Sequence, residues 1–400
     1  MTTNQQRISQ RYLIYRFFSN LWFVSAIWLY FYRLFITDQQ IGILDGMAFA
    51  IGLLVEVPSG ALADKYGRDK VVRLGQILAG SGFLLQAVSS NFVPIFVGQS
   101  IFVIGMSLVS GADEALFFDK LNFDRQSTDW RKLMNRGSQV SLIAMLIATI
   151  AGGWLHSINP RLPWILNGFA LITSAVLIWS VTDDRIKKTR QKIIPELKSY
   201  FIDIKSGFSQ FLLPKFRFYI PFIIAVQGLF YTTDTGLLRL VLLDRFHFDP
   251  LWGSIAIASS SLFTVGLLAL MHKNDTKLSE RKVLTAIGLA AASSLLLSIA
   301  DIGMWGYFVI FGLNAGQYIV EPFMSEVINK QTNEEQRATV LSVSTFLQSI
   351  PYILLAPVIG YLNTNGRLEI FFITWAVFIF ISVGLYRFTK KVDTAISLHD

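Results

Sequence analysis

Apolar stretches of about 20 residues follow one another along almost the whole chain, each long enough to cross a hydrocarbon core of about 30 Å. They fall at 11–36, 40–63, 71–90, 92–118, 134–158, 161–182, 217–243, 250–271, 281–300, 303–328, 338–362 and 367–388. In lipid only helices and closed barrels satisfy their own backbone, and these runs lack the in–out alternation of barrel strands. The pattern predicts an all-α integral membrane protein with twelve transmembrane helices. Six spans precede residue 183 and six follow residue 216, predicting an N-terminal six-helix bundle at 1–182, a linker at 183–216 and a C-terminal six-helix bundle at 217–400. In the linker, Pro195 precedes Leu197, Phe201, Ile204, Phe208 and Phe211 at helical spacing, with Lys198 and Lys205 available to headgroups. That spacing reads as an amphipathic helix on the membrane surface, either a regulatory element or a plain tether.

The two halves echo each other. Glu114-Ala-Leu-Phe-Phe-Asp119-Lys-Leu-Asn122 parallels Glu321-Pro-Phe-Met-Ser-Glu326-Val-Ile-Asn329, and both stretches end the fourth span of their half. Arg33 and Asp38 find counterparts in Arg239 and Asp244, and Gly153 and Leu155 in Gly360 and Leu362. Matches in register predict a parallel repeat, two bundles that rock about a site near the bilayer midplane.

Composition agrees with the spans. Of 400 residues, 53% are hydrophobic, 14% aromatic and only 16% charged, with a mean hydropathy of +0.50, whereas a soluble domain carries about 25% charge. The net charge of +8 could suggest nucleic acid, but its distribution predicts none as a partner. Lys and Arg gather in alternate loops: Lys65 to Arg73, Lys120 to Lys132, Arg185 to Arg217, Lys273 to Lys282, and Arg387 to Lys391. This positive-inside bias predicts cytoplasmic N and C termini. Met1 to Gln10 is polar and lacks an apolar signal core, so the first span is expected to stay. The absence of cysteine excludes disulfides, thiolate metal sites and a cysteine nucleophile. His156, His247, His272 and His399 are scattered near loops or termini, and no HExxH, GxSxG or phosphate-loop pattern occurs. No cofactor or metal is expected, and a polytopic membrane enzyme is the less favoured reading.

The loop between spans two and three carries the sharpest motif, Gly60-Ala-Leu62-Ala-Asp64-Lys65-Tyr-Gly67-Arg68-Asp-Lys70. Gly60 would let helices approach, Gly67 permits a tight turn, and Asp64 offers a carboxylate to a helix N-terminus. Lys65, Arg68 and Lys70 could hold the cytoplasmic edges of the bundles by ion pairs that break when a cavity opens inward. This motif resembles the signature loop of the major facilitator superfamily, and the topology resembles that family throughout the chain. The resemblance implies the major facilitator fold, transport by alternating access, and a conformational role for Asp64 opposite Arg337 to Thr339. Glu56-Val-Pro58-Ser59 and Asp113-Glu114-Ala-Leu are similar to stretches of bacterial drug:proton antiporter-type members. Two departures leave proton coupling open: Ile101 stands where a span-four arginine is common, and of the span-five glycine–proline pattern only Gly152-Gly153 remains.

Carboxylates inside a membrane are costly by about 2.5–3.5 kcal/mol at its centre and default to functional candidates. Asp234, in span seven beside Tyr231, Thr232, Thr233 and Thr235, is the leading candidate for coupling or for binding a cation, or else it is satisfied by those hydroxyls. Glu114 and Glu321 read as a proton or substrate site, or as gates bridging to Arg16, Arg68 or Arg131; Asp113, Glu56 and Asp45 are further candidates. Asp119 and Glu326 read as gate or cap charges. Arg33 and Arg239, with Asp38 and Asp244, read as outer-rim ion pairs. Trp22, Trp28, Gln227, Tyr231, Asn314, Gln317 and Tyr318 would line a cavity suited to an amphipathic or cationic solute, or simply pack helices.

The expected activity is proton-coupled efflux of a small amphipathic or drug-like compound by a monomer in the plasma membrane of a bacterial-style cell. Uptake of a metabolite with protons is the alternative. The expected partners are the solute, protons and membrane lipid. Replacing Asp234 by Asn is predicted to abolish pH-gradient-driven transport in vesicles while leaving insertion intact; full activity would remove Asp234 from the mechanism.

Overall fold

The computed structural model describes residues 3–121, 128–179, 181, 213, 216, 218–273, 279–332 and 337–396. The expected linker helix falls almost wholly outside them. Every regular element described is helical. Two compact units emerge: unit 1 is Met1–Ile36, Met47–Ser199 and Pro250–Ile255, and unit 2 is Thr37–Gly46, Tyr200–Asp249 and Ala256–Asp400.

Unit 1 contains α1 (Thr3–Ser19), α2 (Trp28–Tyr32), most of α3 (Asp38–Tyr66), α4 (Arg68–Val88), α5 (Phe92–Val109), α6 (Ala112–Leu121), α7 (Thr128–Ile158) and α8 (Leu162–Ile178). α4 is its centre, packed against α5 on one side and α8 on the other. Glycines set that closeness. A Cβ on Gly75 would lie 2.6 Å from the Gly105 carbonyl, one on Gly82 2.5 Å from the Gly98 carbonyl, and one on Gly80 2.7 Å from the Gly168 carbonyl. Small residues at facing positions are how helices gain dispersion contact when lipid removes the hydrophobic drive between them.

Unit 2 contains α9 (Tyr219–Phe222), a π turn (Ile223–Gln227), α10 (Gly228–Asp234), α11 (Leu237–Arg245), nearly all of α12 (Pro250–Lys273), α13 (Glu280–Leu297), α14 (Gly306–Gln331), α15 (Arg337–Thr364) and α16 (Leu368–Ile396). α13 packs on α16 and α14, and α10 on α15. The start of α3 also belongs here, fixed by a reciprocal cap. The Gln40 N–H donates to the Thr37 hydroxyl at 3.3 Å, and the Thr37 N–H donates to Gln40 Oε1 at 3.0 Å.

Among the described residues, seven helical stretches are long and apolar enough to cross a membrane: Asp38–Glu56, Arg68–Val88, Phe92–Leu121, Trp130–Ile158, Pro250–Leu270, Val343–Thr364 and Leu368–Arg387. Large apolar side chains stand exposed on the exterior, among them Leu54, Val88, Phe263 and Trp305. That surface needs lipid to cover it.

The sequence-predicted first and seventh spans are not single helices. Between α1 and α2 the chain turns irregularly over 20–27, and side chains from the turn itself and from other helices bond to it. The Val24 N–H donates to Asn167 Oδ1 at 3.4 Å, the Ser25 and Thr149 hydroxyls lie 2.8 Å apart, and Asn20 Nδ2 donates to the Arg16 carbonyl at 2.8 Å. In the seventh, the π turn shifts the ladder and Trp375 Nε1 donates to the Ala225 carbonyl at 3.0 Å. Gly236, at φ +106°, then breaks the helix between Asp234 and Leu237. Broken helices survive in a membrane only where such partners exist.

Gly82→Val is predicted to lower stability by about 1–3 kcal/mol through overpacking, read as a reduced Tm in detergent. An unchanged Tm would show that α4 and α5 are not in the contact described.

Candidate functional site

Unit 1 holds a polar cluster built around the break between α5 and α6. Gly111, at φ +72°, turns the chain there, placing Asp113 and Glu114 in the first turn of α6. Asp113 Oδ1 accepts the Glu114 N–H at 2.8 Å, capping the helix. Its Oδ2 accepts the Tyr15 hydroxyl at 3.1 Å, and that hydroxyl accepts Gln76 Nε2 at 3.0 Å. Tyr15 and Gln76 are each only 1% exposed, so this chain is sheltered from solvent. Beside it Arg16 reaches two ways, to Glu114 at 3.6 Å and to the Ser141 hydroxyl at 3.0 Å. Of the basic partners expected for Glu114, Arg16 is the one in place. Tyr15, Gln76 and Ser141 escaped the sequence reading; one signal was Gln76 itself, a polar residue inside span three.

The signature loop lies at the other end of α6. Gly67, at φ +97°, makes the expected tight turn between α3 and α4. Arg68, first residue of α4, donates to Asp119 Oδ2 at 2.5 Å and lies 3.4 Å from Asp64 Oδ1. Lys65 lies over the Tyr66 ring at 5.1 Å, and Lys70 is exposed. Leu62 packs against the buried cluster formed by Tyr12, Val71, Leu108 and Phe117. The close approach expected of Gly60 is not found, since a Cβ there would meet nothing within 4 Å. A second pair went unpredicted: buried Asp69 binds Arg73 at 2.8 Å, and the Arg73 guanidinium lies 4.8 Å from the Trp179 ring. The side chains of Arg337 to Thr339 fall outside the described residues, so the partner expected for Asp64 does too.

Unit 2 ties the corresponding helix ends with the charges reversed. Glu280, first residue of α13, pairs with Lys330 near the end of α14, and Lys330 also binds Glu326 at 2.8 Å. Hydrogen bonds to these carboxylates, Glu280 first, hold the exposed lysine's pKa above its ordinary value. Glu326, read as a gate or cap charge, is thus paired one turn along its own helix. Glu321 and Glu56 are exposed.

The second candidate cluster lies at the break in the seventh span. Gln227, Tyr231 and Asp234 share one helix face by their spacing of four and three residues. Asp234 is exposed, and the threonines around it do not serve it: Thr232, Thr233 and Thr235 donate to the Gly228, Leu229 and Tyr231 carbonyls at 2.7, 3.0 and 2.9 Å. Its electrostatic neighbour is Arg239, which also feels the Tyr318 hydroxyl. Arg239, read as an outer-rim charge, is only 7% exposed. Tyr231 meets the Tyr352 ring at 6.2 Å, and the Tyr352 hydroxyl donates to Asp45.

The remaining cavity candidates have helix-packing partners or none in common with this cluster. Trp22 contacts the rings of Phe83 and Phe102 at 6.2 and 5.7 Å, and Trp28 that of Tyr32 at 5.7 Å. Asn314 donates to the Ser260 hydroxyl at 3.0 Å, while Gln317 is half-buried. Asp38 accepts Asn363 Nδ2 at 2.5 Å. No group of three or more metal-ligating side chains occurs among the described residues.

Comparison with known proteins then bears on what such clusters serve. The model of the Major Facilitator Superfamily matches residues 12–356. The chain is 24% identical over 391 residues to the uncharacterized MFS-type transporter YxaM of Bacillus subtilis (strain 168), covering 92% of each. It is 23% identical over 323 residues to the quinolone resistance protein NorA of Staphylococcus aureus (strain MSSA476), covering 78% of each. Among solved structures it resembles the nucleoside transporter NupG, with TM-score 0.74 and 14% identity over 96% of this chain and 99% of that one. It also resembles the peptide transporter POT, with TM-score 0.75 and 13% identity over 98% and 99%.

Arg68→Gln takes the guanidinium from Asp119, itself only partly exposed, and is predicted to lower stability by about 1–3 kcal/mol, read as a reduced Tm. The swap Arg68→Asp with Asp119→Arg should recover part of the loss. Equal losses in swap and single variant would show that the pair itself is not what matters.

Proposed function

Because the chain belongs to the major facilitator superfamily, and so is a multi-pass membrane transporter rather than an enzyme, we propose that it exports a small amphipathic compound in exchange for protons. Twelve spans in the plasma membrane, cytoplasmic termini and a functional monomer complete the reading. The observation that carries proton exchange is the linked set Gln76, Tyr15 and Asp113, with Glu114 and Arg16 beside it. Two adjacent carboxylates share one nearby guanidinium at a helix break. One proton more or less on that pair therefore changes what Arg16 is bound to. Arg16 bridges α1 to both α6 and α7, so its choice of partner is a way for a proton to bias helix positions.

Export is supported by the likeness to the quinolone resistance protein NorA and by the aromatic and amide groups of the seventh-span cluster. Asp234 suits a cationic moiety there. Uptake remains the second reading, because the likeness of fold extends to the nucleoside and peptide transporters.

Cells producing the protein are predicted to accumulate less ethidium than controls, and a protonophore should erase the difference. Asp113→Asn should do the same without protonophore while leaving the amount of protein in the membrane unchanged. Greater accumulation in producing cells would reverse the direction, and a difference that survives the protonophore would remove the proton.

A further inference from the structure

Three helix ends of unit 2 meet at one place: α3 begins at Asp38, α15 ends at Thr364 and α16 begins at Leu368. Each belongs to a stretch long and apolar enough to cross a membrane. The Gln39 N–H donates to the Thr364 hydroxyl at 2.9 Å and Asn363 Nδ2 donates to Asp38 at 2.5 Å, so the start of α3 is fixed to the end of α15. Between the three helices lies a groove of about 780 Å³. Leu355, Val358 and Leu362 of α15 and Phe371, Trp375 and Phe378 of α16 form two of its walls. Their spacing of three and four residues puts each set on one helix face. From Phe371 to Phe378 the wall runs about 10 Å along α16, away from the turn and into the span.

Polar atoms along this wall are already bonded. The Trp375 indole N–H donates to the Ala225 carbonyl at 3.0 Å, and the Thr374 hydroxyl donates to the Ile370 carbonyl at 2.7 Å. What remains is hydrocarbon surface, open to the exterior at Val358 and Tyr361, which are 45% and 50% exposed. The mouth is different. Arg367 sits in the turn between α15 and α16, where its N–H donates to the Leu362 carbonyl at 2.8 Å and its carbonyl accepts the Ile370 N–H at 3.1 Å. Leu362 and Ile370 both line the groove. Arg367 is exposed, and among the described residues its guanidinium has no ion-pair or hydrogen-bond partner. The carboxylates beside the turn are engaged, Glu369 with Arg245 at 2.7 Å and Asp38 with Asn363. Gln39, also exposed, brings an amide to the same end of the groove.

We propose that this groove is a phospholipid site, with one acyl chain along α16 and the phosphate on Arg367, and that it selects the anionic headgroup of phosphatidylglycerol. The order of the chemistry decides the occupant. A free cation where the spans end, followed by hydrocarbon surface running inward, matches an amphiphile whose charge lies at the membrane surface and whose chain lies in its core. A chain gains no hydrophobic free energy on leaving the bilayer for the groove, because both media are apolar. Dispersion contact with the aromatic wall holds it, and discrimination falls to the headgroup. A guanidinium takes phosphate oxygens in a forked pair. In phosphatidylcholine the trimethylammonium competes for that phosphate and repels Arg367, whereas phosphatidylglycerol carries no cation. A lipid seated here touches α3, α15 and α16 together and so reinforces the end at which they are joined. Such a site is independent of the direction and coupling of transport.

The test titrates the full chain in detergent with dioleoyl phosphatidylglycerol or dioleoyl phosphatidylcholine and reads the first-lipid dissociation constant by native mass spectrometry. Wild-type protein is expected to bind phosphatidylglycerol about fivefold more tightly, the gain that one basic residue gives an anionic headgroup. Arg367→Gln should bring the two affinities together by weakening phosphatidylglycerol. Val358→Trp, which puts an indole into the groove at an exposed position, should weaken both lipids and keep their ratio; an unchanged lipid-free Tm shows that each variant is folded. Equal affinities in the wild type, which need no variant, overturn the proposal. So does a preference that survives Arg367→Gln, or binding indifferent to Val358→Trp. A dimer that disappears in Val358→Trp puts a second copy in the groove, and displacement of phosphatidylglycerol by ethidium puts the solute there; either result overturns the lipid.

Discussion

A lipid interior gives a polar group nothing to bond to, and most of what is unusual in this structure is a response to that constraint. Each unit interrupts the helix expected to be its first span, and an interruption releases backbone donors and acceptors. In unit 1 Asn167 meets the Val24 N–H and Asn20 the Arg16 carbonyl, with the Ser25 and Thr149 hydroxyls paired beside them; in unit 2 Trp375 meets the carbonyl of Ala225. The breaks are therefore built in rather than frayed. They also sit where charge collects: Arg16 lies one turn before the first, and Asp234 and Arg239 flank the last.

The same helix ends are secured by the same means in both units. An ion pair joins the first residue of one helix to the end of its neighbour, Arg68 with Asp119 and Glu280 with Lys330. The polarity is opposite. That a repeat keeps the tie and exchanges its partners argues that the contact between helix ends matters more than the sign at either one. A largely exposed pair such as Glu280–Lys330 contributes little to stability singly, so its worth lies in fixing where the ends meet.

Much of this was legible in the sequence. The apolar runs gave the helical, membrane-spanning class, and Gly67 gave the turn of the signature loop. Glu114 had Arg16 among its expected partners. The first break was not legible, because residues 20–27 are as apolar as a helix and contain neither glycine nor proline; Asn167 and Thr149, whose side chains meet it, lie more than a hundred residues away. Arg239 was read as an outer-rim charge with Asp244, and nothing in the spacing showed that it would be buried just after the left-handed Gly236. Gly60, read as a helix contact from its motif, has no neighbour. Local spacing shows which residues share a face; it does not show what that face meets.

The central claim is that solute and proton cross in opposite directions through these polar breaks. It is tested most directly in reconstituted vesicles holding a trapped pH-sensitive dye, with an ethidium gradient imposed and no initial pH difference. The account predicts that the ethidium gradient drives protons the other way, seen as a change in lumenal pH that protein-free vesicles do not show. Ethidium movement with no accompanying change in lumenal pH would contradict it.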